Sequence, residues 1–195
     1  MKACGNTAPI NIKSPSPLPM SLPLANIDTT DKDKWIEKER LRWASVFNIP
    51  MKEEVPEGFP PMTLTIMRAL CALTVLNPGK EGQPKLIKAL DALFHAFWVE
   101  HKKTYEKEVL IAVLNEVLGK EEAGKVMGMV PKEGKEVLNK NTDKALADGA
   151  FGLPYFVATN GEGKTETFWG VDHLGQVTAH LGFEKPKSGG WKALL

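Results

Sequence analysis

The sequence predicts an α/β protein in which a long helical block is followed by a β-hairpin and one last helix. Residues 34–148 carry apolar residues at helical spacing, interrupted by helix-ending glycine and proline residues. Residues 155–159 and 165–169 are rich in β-forming residues and flank Asn160-Gly161-Glu162-Gly163, a strong hairpin signal. Because two strands alone are marginally stable, we expect the complete sheet to need strands that these residues do not supply.

The composition of the 195-residue chain is that of an ordinary globular protein, with 43% hydrophobic and 25% charged residues. A net charge of +1 predicts neither a nucleic-acid partner nor a membrane-surface partner. The chain has no apolar run of membrane-spanning length and no secretory signal, which predicts a soluble, intracellular protein. Two cysteines, Cys4 and Cys71, argue against a disulfide framework and favour a reducing compartment.

Six helices are predicted before the hairpin and a seventh after it. Their ranges are 34–47, 62–76, a helix from Gln83-Pro84 to Trp98, 104–118, 121–130, 131–148 and 172–181. The helix at 62–76 is apolar nearly all round, so it is expected in the core together with Cys71. Thr104 and Asp172 stand where helix N-caps belong.

The stretch Gly149-Ala150-Phe151-Gly152-Leu153-Pro154-Tyr155 joins the last of these six helices to the first strand. The glycine is expected to stop the helix, and a proline turn directly before a strand is a place where a cis bond is plausible. A backbone bent in this way can offer the main chain of Leu153 to a bound ligand. An ordinary trans turn proline is the alternative, because most X-Pro bonds in folded proteins are trans.

The run Gly149 to Pro154, the hairpin, the segment Phe168-Trp169-Gly170-Val171-Asp172-His173 and the helical block together resemble a kappa-class glutathione transferase. This class belongs to the DsbA-like thioredoxin superfamily. The resemblance covers residues 1–13 and about 34–182. It implies a thioredoxin-like (DsbA-like) fold that contains a large helical insertion. The family's N-terminal βαβ half, whose Ser-Pro-Tyr carries the catalytic serine, has no match in this sequence, so no catalytic residue is assigned.

The resemblance divides the chain into a loop region at 1–33, a helical domain at 34–148 and a thioredoxin-like hairpin and helix at 149–195. Residues 14–31 are interpreted as an insertion, because residues 11–13 would continue naturally into 32–35 without them. A gene-model or splicing artefact is one hypothesis for the origin of this segment. Its run Ser14-Pro15-Ser16-Pro17-Leu18-Pro19 favours polyproline II backbone.

Glutathione is the co-substrate that the resemblance implies. By the same resemblance, Asn6 binds glutathione and Leu153, next to Pro154, pairs with its peptide backbone. The resemblance also implies that Val171 and Asp172 hold the γ-glutamyl end of glutathione. Val171 stands where the family has serine. The plainer interpretations are that Asn6 is a turn residue and Asp172 a helix cap. No metal is expected, because the four histidines have no ligand-like partners at useful spacing.

The implied function is conjugation of glutathione to small electrophiles, with peroxidase activity as a second reaction. A homodimer and a mitochondrial or peroxisomal location follow from the same resemblance, or a cytoplasmic one if targeting is lost. A glutathione-dependent hydroxychromene carboxylate isomerase is an alternative. A DsbA-like oxidoreductase is another, although the absence of Cys-x-x-Cys argues against it. A further alternative is that the chain is not an enzyme but a non-catalytic, truncated product.

Overall fold

A computed structural model describes residues 31–184 of the chain, and the side chains from residue 33 onward. Its elements are α1 (Asp31–Val46), α2 (Leu64–Leu76), α3 (Gly79–Trp98), α4 (Lys107–Leu118), α5 (Lys120–Met129), α6 (Lys135–Ala147), β1 (Tyr155–Thr159), β2 (Thr165–Trp169) and α7 (Leu174–His180). A π-helical turn, Val130–Gly134, lies between α5 and α6, and a 3-10 turn, Val171–His173, precedes α7. The described residues form two compact units, 31–139 and 140–184.

Helices α2 to α5 supply the core of the first unit. The apolar side chains that are almost completely buried there are Leu73, Leu110, Leu114 and Val126. Helix α2 contributes six buried residues, Cys71 among them, so the expectation that this helix lies in the core is confirmed. Complete burial of one such aliphatic side chain stabilises the folded state by about 1.5–3 kcal/mol.

The π-helical turn packs tightly against α2. A methyl group added at Gly134 would overlap the main-chain carbonyl oxygen of Arg68 and would lie 3.4 Å from the side chain of Ala72. Only a residue without a β-carbon allows the two backbones to approach this closely.

A polar network joins α2, α3 and α5 where α2 ends. Lys85 Nζ donates to both carboxylate oxygens of Glu122, at 2.8 and 2.9 Å, and to Asn77 Oδ1 at 2.9 Å. Asn77 Nδ2 donates to Glu122 Oε1 at 2.7 Å. The hydrogen bonds from Lys85 and Asn77 stabilise the charged carboxylate and thereby lower the pKa of Glu122.

The second unit contains the hairpin, whose strands have the predicted bounds. β1 and β2 are antiparallel, with Tyr155 opposite Trp169 and Thr159 opposite Thr165. Asn160 shapes the turn, because its Oδ1 accepts the main-chain N–H groups of Glu162 at 3.0 Å and Lys164 at 2.9 Å. Side-chain hydrogen bonding of this kind is why asparagine favours turns.

Helix α7 covers one face of the hairpin. His180 Nε2 lies 3.1 Å from the carbonyl oxygens of both Ala158 and Lys164, and the His180 ring is 5.9 Å from that of Phe168. Because side chains alternate across a strand, Tyr155 and Trp169 belong to the opposite face.

The helix starts differ from the predicted ones by one to four residues, and two of these differences have a clear local cause. Helix α3 begins at Gly79, not at Gln83-Pro84, because Gly79 adopts a φ of +75° and the chain turns into the helix there. Thr104 is not an N-cap: it is buried, and a turn closed by Glu106 N and Lys103 O at 2.8 Å delays the start of α4 to Lys107. Within residues 31–184, no helix is both long and apolar enough to cross a membrane.

Candidate functional site

Helix α6 ends at a glycine that redirects the chain toward the first strand. Gly149 has a φ of +84°, Gly149 N donates to Leu146 O at 3.0 Å, and Ala150 N donates to Ala145 O at 2.9 Å. This is the pairing of a Schellman motif, in which glycine is favoured because it adopts positive φ without steric cost. The Tyr155 hydroxyl donates to Asp148 O at 3.2 Å, so the end of α6 is also tied to the start of β1.

The peptide bond between Leu153 and Pro154 is cis, in agreement with the sequence-based expectation. Pro154 O accepts the main-chain N–H of Gly170 at 3.0 Å, which extends the hairpin ladder by one bond beyond Trp169. Among residues 31–184, no hydrogen bond engages the N–H or C=O group of Leu153. The main chain of Leu153 is therefore available, within this part of the chain, to a peptide-like ligand.

Asp172 lies in the 3-10 turn that follows Gly170. Its carboxylate is 72% exposed, occupies the space that a β-carbon at Gly170 would need, and places Oδ2 3.3 Å from His173 Nδ1. The prediction that Asp172 caps the last helix is wrong, because it makes no capping hydrogen bond and His173 occupies the position before α7. Gly170, with a φ of +93°, starts the helical turn early, so Asp172 falls inside that turn.

An exposed aromatic cluster flanks the cis-proline loop. Phe151 is 68% exposed, and its ring centroid lies 5.2 Å from that of Trp169 and 6.2 Å from that of Tyr155. The Trp169 indole lies directly against Gly152: a β-carbon there would be 2.6 Å from Trp169 Nε1. The indole thus leaves no room for a side chain at Gly152 and braces the loop that leads to Leu153.

Four of the five predicted site residues lie at one end of the hairpin. The Gly170–Pro154 hydrogen bond sets Leu153 and Pro154 beside the turn that carries Val171 and Asp172. Asn6 lies outside the described residues, so its role stays a prediction.

Three further residues belong to this end of the hairpin, namely Trp169, Gly170 and His173. Sequence reasoning did not assign them to the site. A glycine directly after a strand and before a helix is the one signal that could have pointed to Gly170.

Comparison with known proteins identifies the family to which the chain belongs. A family model described as a DSBA-like thioredoxin domain matches residues 6–182. The chain belongs to the DsbA-like thioredoxin family. It is also 27% identical over 165 residues to a glutathione S-transferase kappa 2 of Caenorhabditis elegans, an alignment that covers 84% of this chain and 69% of that protein.

The family match confirms the resemblance seen in the sequence and the α/β, thioredoxin-like fold class. In this chain the helices α1 to α6 precede the hairpin and α7. This is the order expected when a helical segment is inserted into a thioredoxin-like fold ahead of its last two strands and last helix. Family and relative together support a function of the glutathione-related or oxidoreductase type. Among the described residues, no cluster of three or more histidine, cysteine, aspartate or glutamate side chains could hold a metal ion.

Proposed function

We propose that this chain binds glutathione at the cis-proline end of the hairpin and serves the transfer of glutathione to small electrophiles. The observation that carries the proposal is the hydrogen bond from Gly170 N to Pro154 O at 3.0 Å. It joins an open stretch of main chain at Leu153 to the turn that presents the Asp172 carboxylate. A tripeptide whose γ-glutamyl end carries an α-ammonium group needs these two features side by side.

The peptide part of glutathione would pair with the main chain of Leu153. An extended peptide that adds to an exposed main chain gains affinity from backbone hydrogen bonds, and neighbouring side chains then set specificity. In this chain the neighbouring side chains are the aromatic rings of Phe151 and Trp169.

The α-ammonium group of the γ-glutamyl residue would pair with Asp172. Its carboxylate is exposed and not used for helix capping, so it can accept charge-assisted hydrogen bonds. Val171 contributes only its main chain, since it lacks the hydroxyl of the family's serine. Asn6 is proposed as a further contact.

Transfer requires the glutathione thiolate, because the thiolate and not the thiol is the nucleophile. A free thiol has a pKa of about 8.5, so an enzyme must stabilise the anion at neutral pH. The thiolate then forms a bond to the electrophilic carbon while the leaving group departs with the bonding electron pair. In the family a serine hydroxyl supplies this stabilisation, and none of the 195 residues matches that serine.

We also propose peroxidase activity, a homodimer and a mitochondrial or peroxisomal location, which rest on the resemblance to the kappa class. A second candidate function is glutathione binding without catalysis. The two candidates share the same binding site.

Calorimetric titration with S-methylglutathione tests the binding site, because this ligand needs no thiolate. Asp172→Asn should weaken binding at least about tenfold, since a hydrogen bond to a charged group is worth about 1.5–3 kcal/mol. Asp91→Asn, which removes an exposed carboxylate from α3, is the matched control and should bind like wild type. No binding by the wild-type chain, or equal affinity of the Asp172 variant, would contradict the proposal.

Conjugation is tested separately with glutathione and an activated aryl halide. Turnover by the wild-type chain that is lost in Asp172→Asn supports transfer. Binding without turnover would leave the non-catalytic candidate as the function.

A further inference from the structure

The hairpin ladder determines which main-chain groups of β1 face outward. Opposite residues of an antiparallel pair alternate between pairs that exchange two main-chain hydrogen bonds and pairs that exchange none. In this hairpin Pro154 O accepts from Gly170 N at 3.0 Å, and Asn160 N donates to Lys164 O at 2.9 Å. The bonded residues of β1 are therefore the even-numbered ones. Those that direct their N–H and C=O groups away from β2 are Tyr155, Val157 and Thr159.

No strand covers this edge within residues 31–184. The sheet described there has two strands, and no hydrogen bond in this part of the chain engages the main chain of Tyr155, Val157 or Thr159. Tyr155 and Val157 are half-buried, and Thr159 is exposed. We call the outward main-chain groups of these three residues the free edge of β1. An unpaired edge of this kind is a template for pairing with another strand.

Strand β1 lacks the features that prevent edge pairing. Edge strands are commonly protected by charged side chains, prolines or bulges. Residues 155–159 read Tyr-Phe-Val-Ala-Thr, with no charge and no proline, and their register with β2 runs without a bulge. The outer edge of the hairpin at β2 is protected, because this strand carries Glu166, whose carboxylate pairs with Lys164 Nζ at 2.8 Å. The free edge of β1 is thus the edge suited to pairing.

A second copy of β1 fits the free edge in one register. When two β1 strands run antiparallel with Val157 on the two-fold axis, Val157 lies opposite its copy and Tyr155 lies opposite Thr159. All three outward residues then fall into pairs that exchange two main-chain hydrogen bonds. An axis at either neighbouring residue leaves one of the three without a partner in β1. Such a two-fold contact is closed, so it produces a dimer and not a filament.

The side chains suit the same register. The pairs across the axis are valine with valine and tyrosine with threonine, on the hairpin face opposite α7. Aromatic and β-branched pairs of this kind stabilise sheets, and no like charges oppose each other. We propose that two copies of the chain pair along the free edge of β1 and form a four-stranded sheet of order β2-β1-β1-β2. The homodimer thereby acquires a defined surface.

This pairing leaves the candidate glutathione site open. Leu153 lies before the paired stretch, and after Thr159 the chain of the second copy turns toward its own β2. The main chain of Leu153 therefore stays accessible to a ligand. Dimer formation and glutathione binding are independent, and either can fail without the other.

Sedimentation of the full chain over a range of concentrations tests the pairing, and wild type should show a monomer–dimer equilibrium. Val157→Lys places two ammonium groups opposite each other at the axis and should weaken the dimer at least about tenfold. Thr167→Lys is the matched control, because Thr167 lies opposite Val157 in the hairpin, so the charge is on β2. Its dimer should equal that of wild type. A monomeric wild type, or equal weakening by both variants, would overturn the proposal.

Residue-resolved hydrogen exchange needs no substitution. The amides of Phe156 and Ala158 are bonded within the hairpin and should be protected at every protein concentration. Those of Tyr155, Val157 and Thr159 should gain protection as the dimer forms. Protection of these three that does not depend on concentration would identify another segment of the same chain as the occupant. That result, or exchange without protection at all concentrations, would overturn the proposal.

A cross-link tests the register. The α-carbons of a hydrogen-bonded antiparallel pair lie about 5.5 Å apart, a separation that a disulfide can span. In a Cys4→Ser background, Val157→Cys should link two copies under mild oxidation, whereas Thr167→Cys should not. Cys71 is buried and stays in place. A dimer that forms no link at position 157, or equal linking of both variants, would contradict the proposed axis.

Discussion

Trp169 lies so close to Gly152 that a β-carbon at position 152 would sit 2.6 Å from the indole Nε1. The contact links the end of β2 to the loop before the cis proline, and both flank the proposed glutathione site. The indole of Trp169 therefore helps to position the loop that contains Gly152. Changes at this contact should affect ligand binding more than overall folding.

Gly152→Ala should weaken binding of S-methylglutathione several-fold, because the added methyl group must displace either the loop or the indole of Trp169. Calorimetry measures the affinity, and far-ultraviolet circular dichroism checks the fold. Gly161→Ala is the matched control, since a β-carbon there meets no atom within 4 Å. Equal affinities of both variants would show that the indole contact does not position the site.

Gly134→Ala should destabilise the helical unit by about 1–3 kcal/mol, the usual cost of forcing an extra methyl group into a packed site. The methyl group would collide with the carbonyl oxygen of Arg68, which as backbone cannot move aside easily. Urea unfolding gives the free energy. Gly124→Ala on α5, where the space is open, should instead be neutral or stabilising by up to about 1 kcal/mol. Equal changes in the free energy of unfolding for Gly134→Ala and Gly124→Ala would contradict the prediction.

The network of Asn77, Lys85 and Glu122 should make the stability of the helical unit depend on acid pH. Because the folded-state pKa of Glu122 lies below that of the unfolded chain, its contribution is complete above the ordinary glutamate pKa of about 4.3 and is lost as the pH falls through the lowered value. Glu122→Gln should remove about 1 kcal/mol at neutral pH, a modest amount because Lys85 is half exposed.

Urea unfolding at pH 7 and pH 3 measures this effect. The difference in stability between wild type and Glu122→Gln should shrink at the lower pH. Glu133→Gln provides a comparison at another carboxylate of the same unit. A difference that stays constant between the two pH values would refute the role of the carboxylate.

Asn160→Ala should loosen the hairpin, because Asn160 Oδ1 accepts two main-chain N–H groups of the turn. Losing both bonds should cost about 1–2 kcal/mol of local stability. Hydrogen exchange at β1 and β2 should rise, while the amides of α4 stay protected. Glu162→Ala, in the same turn, keeps both acceptor contacts and should exchange like wild type.

The sequence was most informative where local chemistry determines the structure. The Asn160 turn between two β-rich runs was enough to predict both strands with their observed bounds. The apolar composition of α2 was enough to predict its burial, because a helix that is apolar on every side needs surrounding neighbours.

The sequence was less informative where a boundary depends on one backbone angle or on a distant contact. Asp172 has the residue type of a cap, yet the positive φ of Gly170 moves the helical turn forward by two residues. The contact of Trp169 with Gly152 joins residues on separate segments, and no local pattern encodes it. The family's resemblance named the site residues, but only the fold brings four of them to one end of the hairpin.

The π-helical turn at Val130–Gly134 has a consequence for changes in chain length. A π turn holds about one residue more than an α turn, so removal of one residue there would convert the stretch to regular α-helix. Because the wider π turn already accommodates the extra residue, the α-helical turns that follow would keep nearly the same orientation after this deletion. The side chain of Leu138 would therefore stay buried.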